Sequence, residues 1–386
     1  MILKPYYIFK SGGLQVSDMC LVVVFIIILL KPSLKKEYNW IQKKNIKNFQ
    51  IYILFLVCVS LINIVYFCEY RNSDFILSTL YYIFIFIGMY IFNFVFDNKV
   101  VMEKMLTILK VNIIIQFIIY ILGIGRYYSG IRYMGTFNDP NQFAFYIFIS
   151  IILIYVINII LGKKKIPILI NILGIYLIGM SLSTGILVGT IIYLIAINFN
   201  TIINFIKKPN SKSILFIVIS ALLVVVVVVN IWGDSKEGGK FSDIIIDSEI
   251  YGRILEKFNK VSGEANMNIF EDRGMDKLYI YPEYIVYGAG QGEYERYVEA
   301  FSQNEIHSTL PSILFYYGII PFCILMIWIY LNIKNSNIEI KLICFSVLVE
   351  SFFLLNQRQL YLWILILLVN YIKEVRKKEK DDEKNF

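Results

Sequence analysis

The sequence predicts an all-α polytopic membrane protein of about eleven transmembrane helices (ten to twelve), with one long, partly helical external loop. Three observations lead there. Apolar residues make up 58% of the 386-residue chain and charged residues only 17%, where soluble proteins keep about 25%. Uncharged runs such as 21–30 and 214–229 recur, and a span needs about 20 mostly apolar residues to cross the hydrocarbon core. Lysines, finally, cluster in short connections between those runs, which is a topology signal rather than a nucleic-acid patch.

Taken in order, the apolar runs give spans at 15–30, 49–68, 75–96, 107–125, 141–161, 166–181, 185–206, 213–232, 308–331, 342–356 and 360–372. The chain then divides into residues 1–232 with eight spans, a loop at 233–306, three spans within 307–372, and a charged tail at 373–386. The first run has no small-residue cleavage site and is expected to remain as a span, although the amino end is short enough for one span to be missing. Connections 31–48, 97–106, 162–165, 207–212 and 332–341 and the tail carry most of the lysines. The positive-inside rule makes that side cytoplasmic, with the amino terminus external and the carboxyl terminus cytoplasmic. The tail KEVRKKEKDDEKNF mixes both signs and reads as a solvated, flexible end.

The loop at 233–306, about 75 residues long, faces outward in this topology, and loops of such length are usually functional or disordered. Arginine sorts differently from lysine. Arg71, Arg126, Arg132, Arg253, Arg273, Arg296 and Arg358 are external and only Arg376 is cytoplasmic. Arginine offers a planar fork suited to bidentate phosphate contacts, although loop composition alone would also give this pattern.

Within RYMGTFNDPNQFAFY (132–146), Asp139 reads as an N-cap, Pro140 as the first helical residue and Gln142 as the second half of a capping box. The helix start has the positive end of the macrodipole, and Arg132 lies just upstream, so an anion site and a plain well-capped span both fit. GAGQG (288–292) lacks a βαβ context and reads as a tight turn rather than a nucleotide loop. His307 is the only histidine, at the outer surface, where neutral imidazole can accept a proton from a sugar hydroxyl. Glu350 interrupts the apolar run SVLVESFFLL, where a buried arginine pair or an ion path would explain it. Five cysteines without CxxC spacing predict neither disulfides nor a metal cluster, and no DxD, P-loop, HExxH or GxSxG motif occurs.

These pieces together resemble the bacterial O-antigen polymerase/ligase superfamily of polysaccharide-assembly membrane proteins. The R-x-x-G-T-F-x-x-P-N segment is matched by Arg132, Gly135, Thr136, Phe137, Pro140 and Asn141. The late-loop arginine and G-x-G-x-G turn are matched by Arg273, Gly288, Gly290 and Gly292, and the span-opening histidine by His307 with Gly318-Ile319-Ile320. Ser181, Ser183 and Gly185 are similar to the family's S-x-S-R-G hairpin, but Thr184 stands where an arginine is common. Ser308 and Pro321 also depart from the usual asparagine and glycine.

The resemblance implies an enzyme of the bacterial plasma (inner) membrane acting at its outer face. The reaction implied is metal-independent, inverting glycosyl transfer from undecaprenyl-diphosphate-linked glycan, with no cofactor. In that reading His307, Arg273 and Arg132 are catalytic, and Arg253, Arg126, Arg358, Asn141 and Gly290 bind substrate. Partners would be the lipid-linked glycan, membrane lipid and other assembly proteins such as a flippase or chain-length regulator, with no nucleic acid. Polymerase is favoured over ligase by the divergent, Ile-, Tyr-, Asn- and Lys-rich sequence. A lipid-linked glycan transporter, with Glu350 coupling an ion, is the rival from another class, but no repeat between halves is visible.

Overall fold

The structure is a computed structural model that describes residues 3–8, 15–96, 98–163, 167–207 and 268–384. The predicted span at 213–232, loop residues 233–267 and Arg253 lie outside the described residues. The first half comprises α1 (Val16–Leu30), α2 (Pro32–Tyr70), α3 (Asp74–Phe96) and α4 (Lys99–Ile121), then a hairpin of β1 (Arg126–Tyr128) and β2 (Arg132–Gly135). Next come α5 (Pro140–Ile160), α6 (Ile168–Ser181), α7 (Thr184–Ile197) and α8 (Phe199–Lys207). From residue 268 onward come three short turns, α9 (Ile269–Asp272), α10 (Lys277–Ile280) and α11 (Glu283–Tyr287). The chain closes with α12 (Thr309–Tyr317), α13 (Ile319–Ile333), α14 (Ile338–Phe353) and α15 (Leu360–Lys384).

Among the described residues, Asn48–Tyr70, Asp74–Asn93, Lys99–Ile121 and Pro140–Ile160 are long and apolar enough to cross a membrane, and five shorter apolar helices accompany them. α5 is the central helix. Its apolar stretch is 89% buried, against 22% for Asn48–Tyr70, and α4, α6, α7 and α15 pack around it. With no water to satisfy backbone groups in lipid, a helical bundle is the expected solution. Lipid tails give helices no hydrophobic reason to associate, so close approach of backbones carries more of the packing. That is visible between α7 and α14. A Cβ added at Gly185 would lie 2.9 Å from Phe353 Cβ, and one at Gly189 would lie 3.2 Å from Glu350 Cβ and 3.1 Å from the Ser346 carbonyl oxygen.

Several boundaries differ from expectation. The predicted connection at 31–48 is helical, because Pro32 at the first turn starts α2 and nothing in the Lys-, Gln- and Glu-containing stretch stops it. The tail, expected to be flexible, continues α15 to Lys384. The predicted span 185–206 is divided at Asn198 into α7 and α8. Span 308–331 is divided at Gly318, whose φ of 76° caps α12. The β-hairpin was not foreseen; its strands meet across Ser129 and Gly130, both with positive φ, as a right-twisted tight hairpin requires.

The polar connections sort to two ends of the bundle. At one end Asn48 bonds Asn332 at 3.1 Å, Lys163 pairs with Glu103 at 3.5 Å and the Tyr155 hydroxyl donates to Glu339. At the other end residues 3–8 lie on the segment after β2. The Tyr7 amide donates to the Thr136 carbonyl, the Thr136 hydroxyl donates to the Pro5 carbonyl, and the Tyr7 ring packs 4.7 Å from Phe137. A buried Lys4–Asp18 ion pair at 3.0 Å fastens this amino-terminal piece to the start of α1.

Candidate functional site

Arg132 opens β2, and the hairpin lays it across the start of α5. Asp139 caps that helix, its Oδ1 accepting from the amides of Asn141 at 2.8 Å and Gln142 at 2.9 Å, with Pro140 in the first turn. The reciprocal half of the expected capping box is not made, since Gln142 Oε1 accepts no hydrogen bond. The free face of the cap is used differently. Asn141 Oδ1 accepts from the Arg132 guanidinium at 2.7 Å and from the Ser183 hydroxyl at 3.0 Å, while Arg132 Nε donates to the Ser181 carbonyl at 3.0 Å. The R-x-x-G-T-F-x-x-P-N segment and the S-x-S-T-G hairpin therefore meet on one asparagine. α4 supports them from behind, with Gln116 Nε2 donating to the Thr136 hydroxyl at 2.7 Å. Arg126 stays exposed and donates to Asn138.

Arg273 follows the single turn α9, which Asn268 caps from its side chain. Its carbonyl accepts the His307 amide at 2.9 Å, so the two residues are joined through the backbone. Burial pushes the guanidinium pKa down, an effect partly offset by Asp272 and by Glu350. Its Nε is buried without a hydrogen-bond partner. The His307 side chain keeps exposed surface. Burial pushes the imidazole pKa below its usual 6.5, opposed first by Glu305, reinforced by Arg273 and Lys277, and opposed again by Asp272. The imidazole is thus neutral at neutral pH, the form that accepts a proton.

The residues after His307 bind to the α14–α15 connection. The Thr309 amide and hydroxyl both donate to the Leu354 carbonyl, at 3.0 and 2.7 Å, and the Asn356 amide donates back to the Thr309 hydroxyl at 2.7 Å. Asn356 Nδ2 in turn donates to Glu350 Oε1, so the hydrogen-bond partner of that fully buried carboxyl is an amide, where an arginine pair or an ion path was expected. Glu350 and Leu354 are the residues on which Gly189 and Gly185 of α7 rest. The α7–α14 pair therefore connects the Arg132–Asn141–Ser183 group to the Arg273–His307 group at one end of the bundle.

Gly290 and Arg358 are placed otherwise. The amides of Ala289 and Gly290 donate to the carbonyls of Phe315 and Tyr316, at 3.1 and 2.7 Å, and the Gln291 amide donates to Asn63 at 2.9 Å. Those amides are spent on the protein, and the glycine sequence is a tight turn packed on α12. Arg296 donates to the carbonyls of Ala289 and Gly290 and stands 4.8 Å from the Tyr297 ring and 4.9 Å from the Tyr66 ring. Arg358 pairs with Glu305 at 2.6 Å. Sequence reasoning missed Glu305, Gln291, Thr309 and Asn356; a carboxylate two residues before the only histidine was the available signal. All five cysteines are free.

No known protein family, curated protein or solved structure matches the chain.

Proposed function

We propose that the chain is a polysaccharide polymerase, a glycosyltransferase that joins undecaprenyl-diphosphate-linked oligosaccharide repeat units into a surface polysaccharide at the outer face of the bacterial plasma membrane. The observation that carries this reading is the backbone bond from His307 to Arg273, which joins a residue with a neutral imidazole to one whose buried guanidinium Nε has no hydrogen-bond partner. A proton acceptor tied to an arginine with a donor nitrogen to spare fits a reaction that deprotonates a hydroxyl while an anion departs.

In that reaction an acceptor hydroxyl oxygen attacks the anomeric carbon of the donor sugar, and the bond from that carbon to the phosphate oxygen breaks. The configuration inverts. The hydroxyl proton passes to the neutral His307 imidazole, and undecaprenyl diphosphate leaves with the bonding electron pair. Arg273 and Arg132 bind the diphosphate, aided by the amino end of α5, whose dipole favours negative charge. Preorganised donors of this kind are each worth about 10²–10³ in rate where charge develops. Asn141 holds Arg132 in place, and Arg126 serves the edge of the site.

The test replaces His307 or Arg273 with alanine in the producing strain and examines its lipid-linked glycans. Loss of polymer with accumulation of single lipid-linked repeat units supports polymerisation. Accumulated full-length lipid-linked polymer identifies a ligase, and repeat units trapped on the cytoplasmic face identify a transporter. Normal polymer from both variants refutes the catalytic assignment.

A further inference from the structure

We propose that Glu305 and Arg358 form a positioning pair for His307, locking the segment that presents the imidazole and keeping one carboxylate beside it. This rests on the reading of His307 as the proton acceptor, and it moves Arg358 from substrate contact to support.

The guanidinium of Arg358 is already committed. One nitrogen donates to Glu305 Oε1 at 2.6 Å, and its central carbon lies 4.9 Å from the centroid of the Tyr81 ring on α3. Burial opposes its charge, yet Glu305 and neighbouring tyrosines outweigh that cost and raise its pKa. Glu305 Oε1 also accepts from Gln291 Nε2. Gln291 is itself fixed on every side. Its Oε1 accepts from the Tyr317 hydroxyl at 2.6 Å, its amide donates to Asn63 at 2.9 Å, and its carbonyl accepts from the Ser78 hydroxyl at 2.9 Å. One carboxylate oxygen thus joins the glycine turn, the α14–α15 connection and the strand of chain that carries His307.

The following residues complete the clamp. The Ile306 amide donates to the Tyr316 hydroxyl at 3.1 Å, the His307 amide to the Arg273 carbonyl at 2.9 Å, and the Thr309 amide to the Leu354 carbonyl at 3.0 Å. Glu305, Ile306, His307 and Thr309 are therefore each tied to a different part of the fold. Such over-determination is what holding a reacting group in a near-attack geometry requires.

The pair also answers an electrostatic need. Of the charged groups acting on His307, Arg273 and Lys277 disfavour its protonation, and Glu305 and Asp272 favour it. An arginine placed to bind diphosphate weakens the base beside it. Glu305 works against that loss of basicity, and Arg358 holds its carboxylate in place.

His307 is the only histidine in the chain, so a single imidazole resonance reports its titration. The full chain, purified in detergent through a tag without histidine and labelled with 13C-histidine, is titrated by NMR. In E305Q, which keeps an acceptor oxygen for Arg358, the His307 midpoint moves to lower pH. R358Q cuts the tie and splits or broadens the resonance, whereas R358K, which retains the charge opposite Glu305, gives one line. An unshifted midpoint in E305Q, or a single sharp wild-type line in R358Q, overturns the proposal; R358Q decides it should E305Q fail to fold. Titration does not depend on polymer formation. An H307A chain that still makes polymer refutes the reading of His307 as base and leaves a shift in E305Q standing, so the two failures are distinguishable.

Discussion

Arg132 and Asn141 are joined side chain to side chain at 2.7 Å, and the same asparagine oxygen accepts the Ser183 hydroxyl at 3.0 Å. That single oxygen aligns the end of the β-hairpin, the start of α5 and the turn into α7. In the proposed function, an arginine so held meets the diphosphate with its own side chain already ordered.

Asn141 therefore separates geometry from charge. N141A removes the acceptor and lets Arg132 drift, and on the proposed function polymer synthesis by membranes carrying it falls about tenfold, equivalent to ~1.4 kcal/mol. N141D keeps the shape but adds a carboxylate that neutralises Arg132 and repels diphosphate, so it is the worse of the two. Equal activities for the two variants, measured as polymer per unit protein, would remove Arg132 from anion binding.

With His307 as the proposed base, a pH profile follows. Its folded pKa lies below 6.5, the value of an unperturbed histidine, because burial disfavours the charged ring. Activity of a neutral base rises with pH through that lowered value and is flat across neutrality. The stability consequence has the same sign. Below pH 6.5 the unfolded chain binds the proton more readily than the folded one, so stability is lost as pH falls through that window. H307Q abolishes this component of the acid dependence, as thermal denaturation at several pH values would register.

Gly288 and Gly318 form a second testable contact. A Cβ at Gly288 would sit 2.7 Å from the Tyr317 carbonyl carbon, and one at Gly318 would sit 2.7 Å from the Val286 carbonyl oxygen. Both residues also have positive φ, 81° and 76°. G288A and G318A are each expected to destabilise by about 1–3 kcal/mol, read as a lowered melting temperature of the detergent-solubilised chain. The loss falls on the packing of the glycine turn against α12, which carries Gln291 and hence Glu305.

The sequence made part of this legible and left part hidden, for physical reasons. Asp139-Pro140-Asn141-Gln142 announced the start of α5 because a cap, a first-turn proline and an apolar run are all local signals. The lone His307 and the buried Glu350 stood out by rarity alone. The extension of α2 back to Pro32 was hidden because topology rules mark charge and not helix ends. The break at Gly318 was overlooked although Gly318 and Pro321 mark it locally, whereas the contact that requires a glycine there, the carbonyl of Val286, lies 32 residues upstream. Arg358 misled for a related reason. Its expected external position matched that of the other arginines, and only the fold brings Glu305 to it across more than fifty residues. The strands at 126–135 carried a visible signal, Ser129-Gly130 between tyrosine-rich pieces, that the apolar runs on either side overshadowed.

The central claim is tested most directly by reconstitution. The full-length chain in proteoliposomes is given a synthetic undecaprenyl-diphosphate-linked repeat unit as both donor and acceptor, with a metal chelator present. Products are resolved by size. The account predicts a ladder of lengthened lipid-linked oligosaccharide from the wild-type chain, and unextended substrate from H307A and from R273A. A wild-type chain that leaves the substrate unextended, or an H307A chain that builds the same ladder, contradicts it.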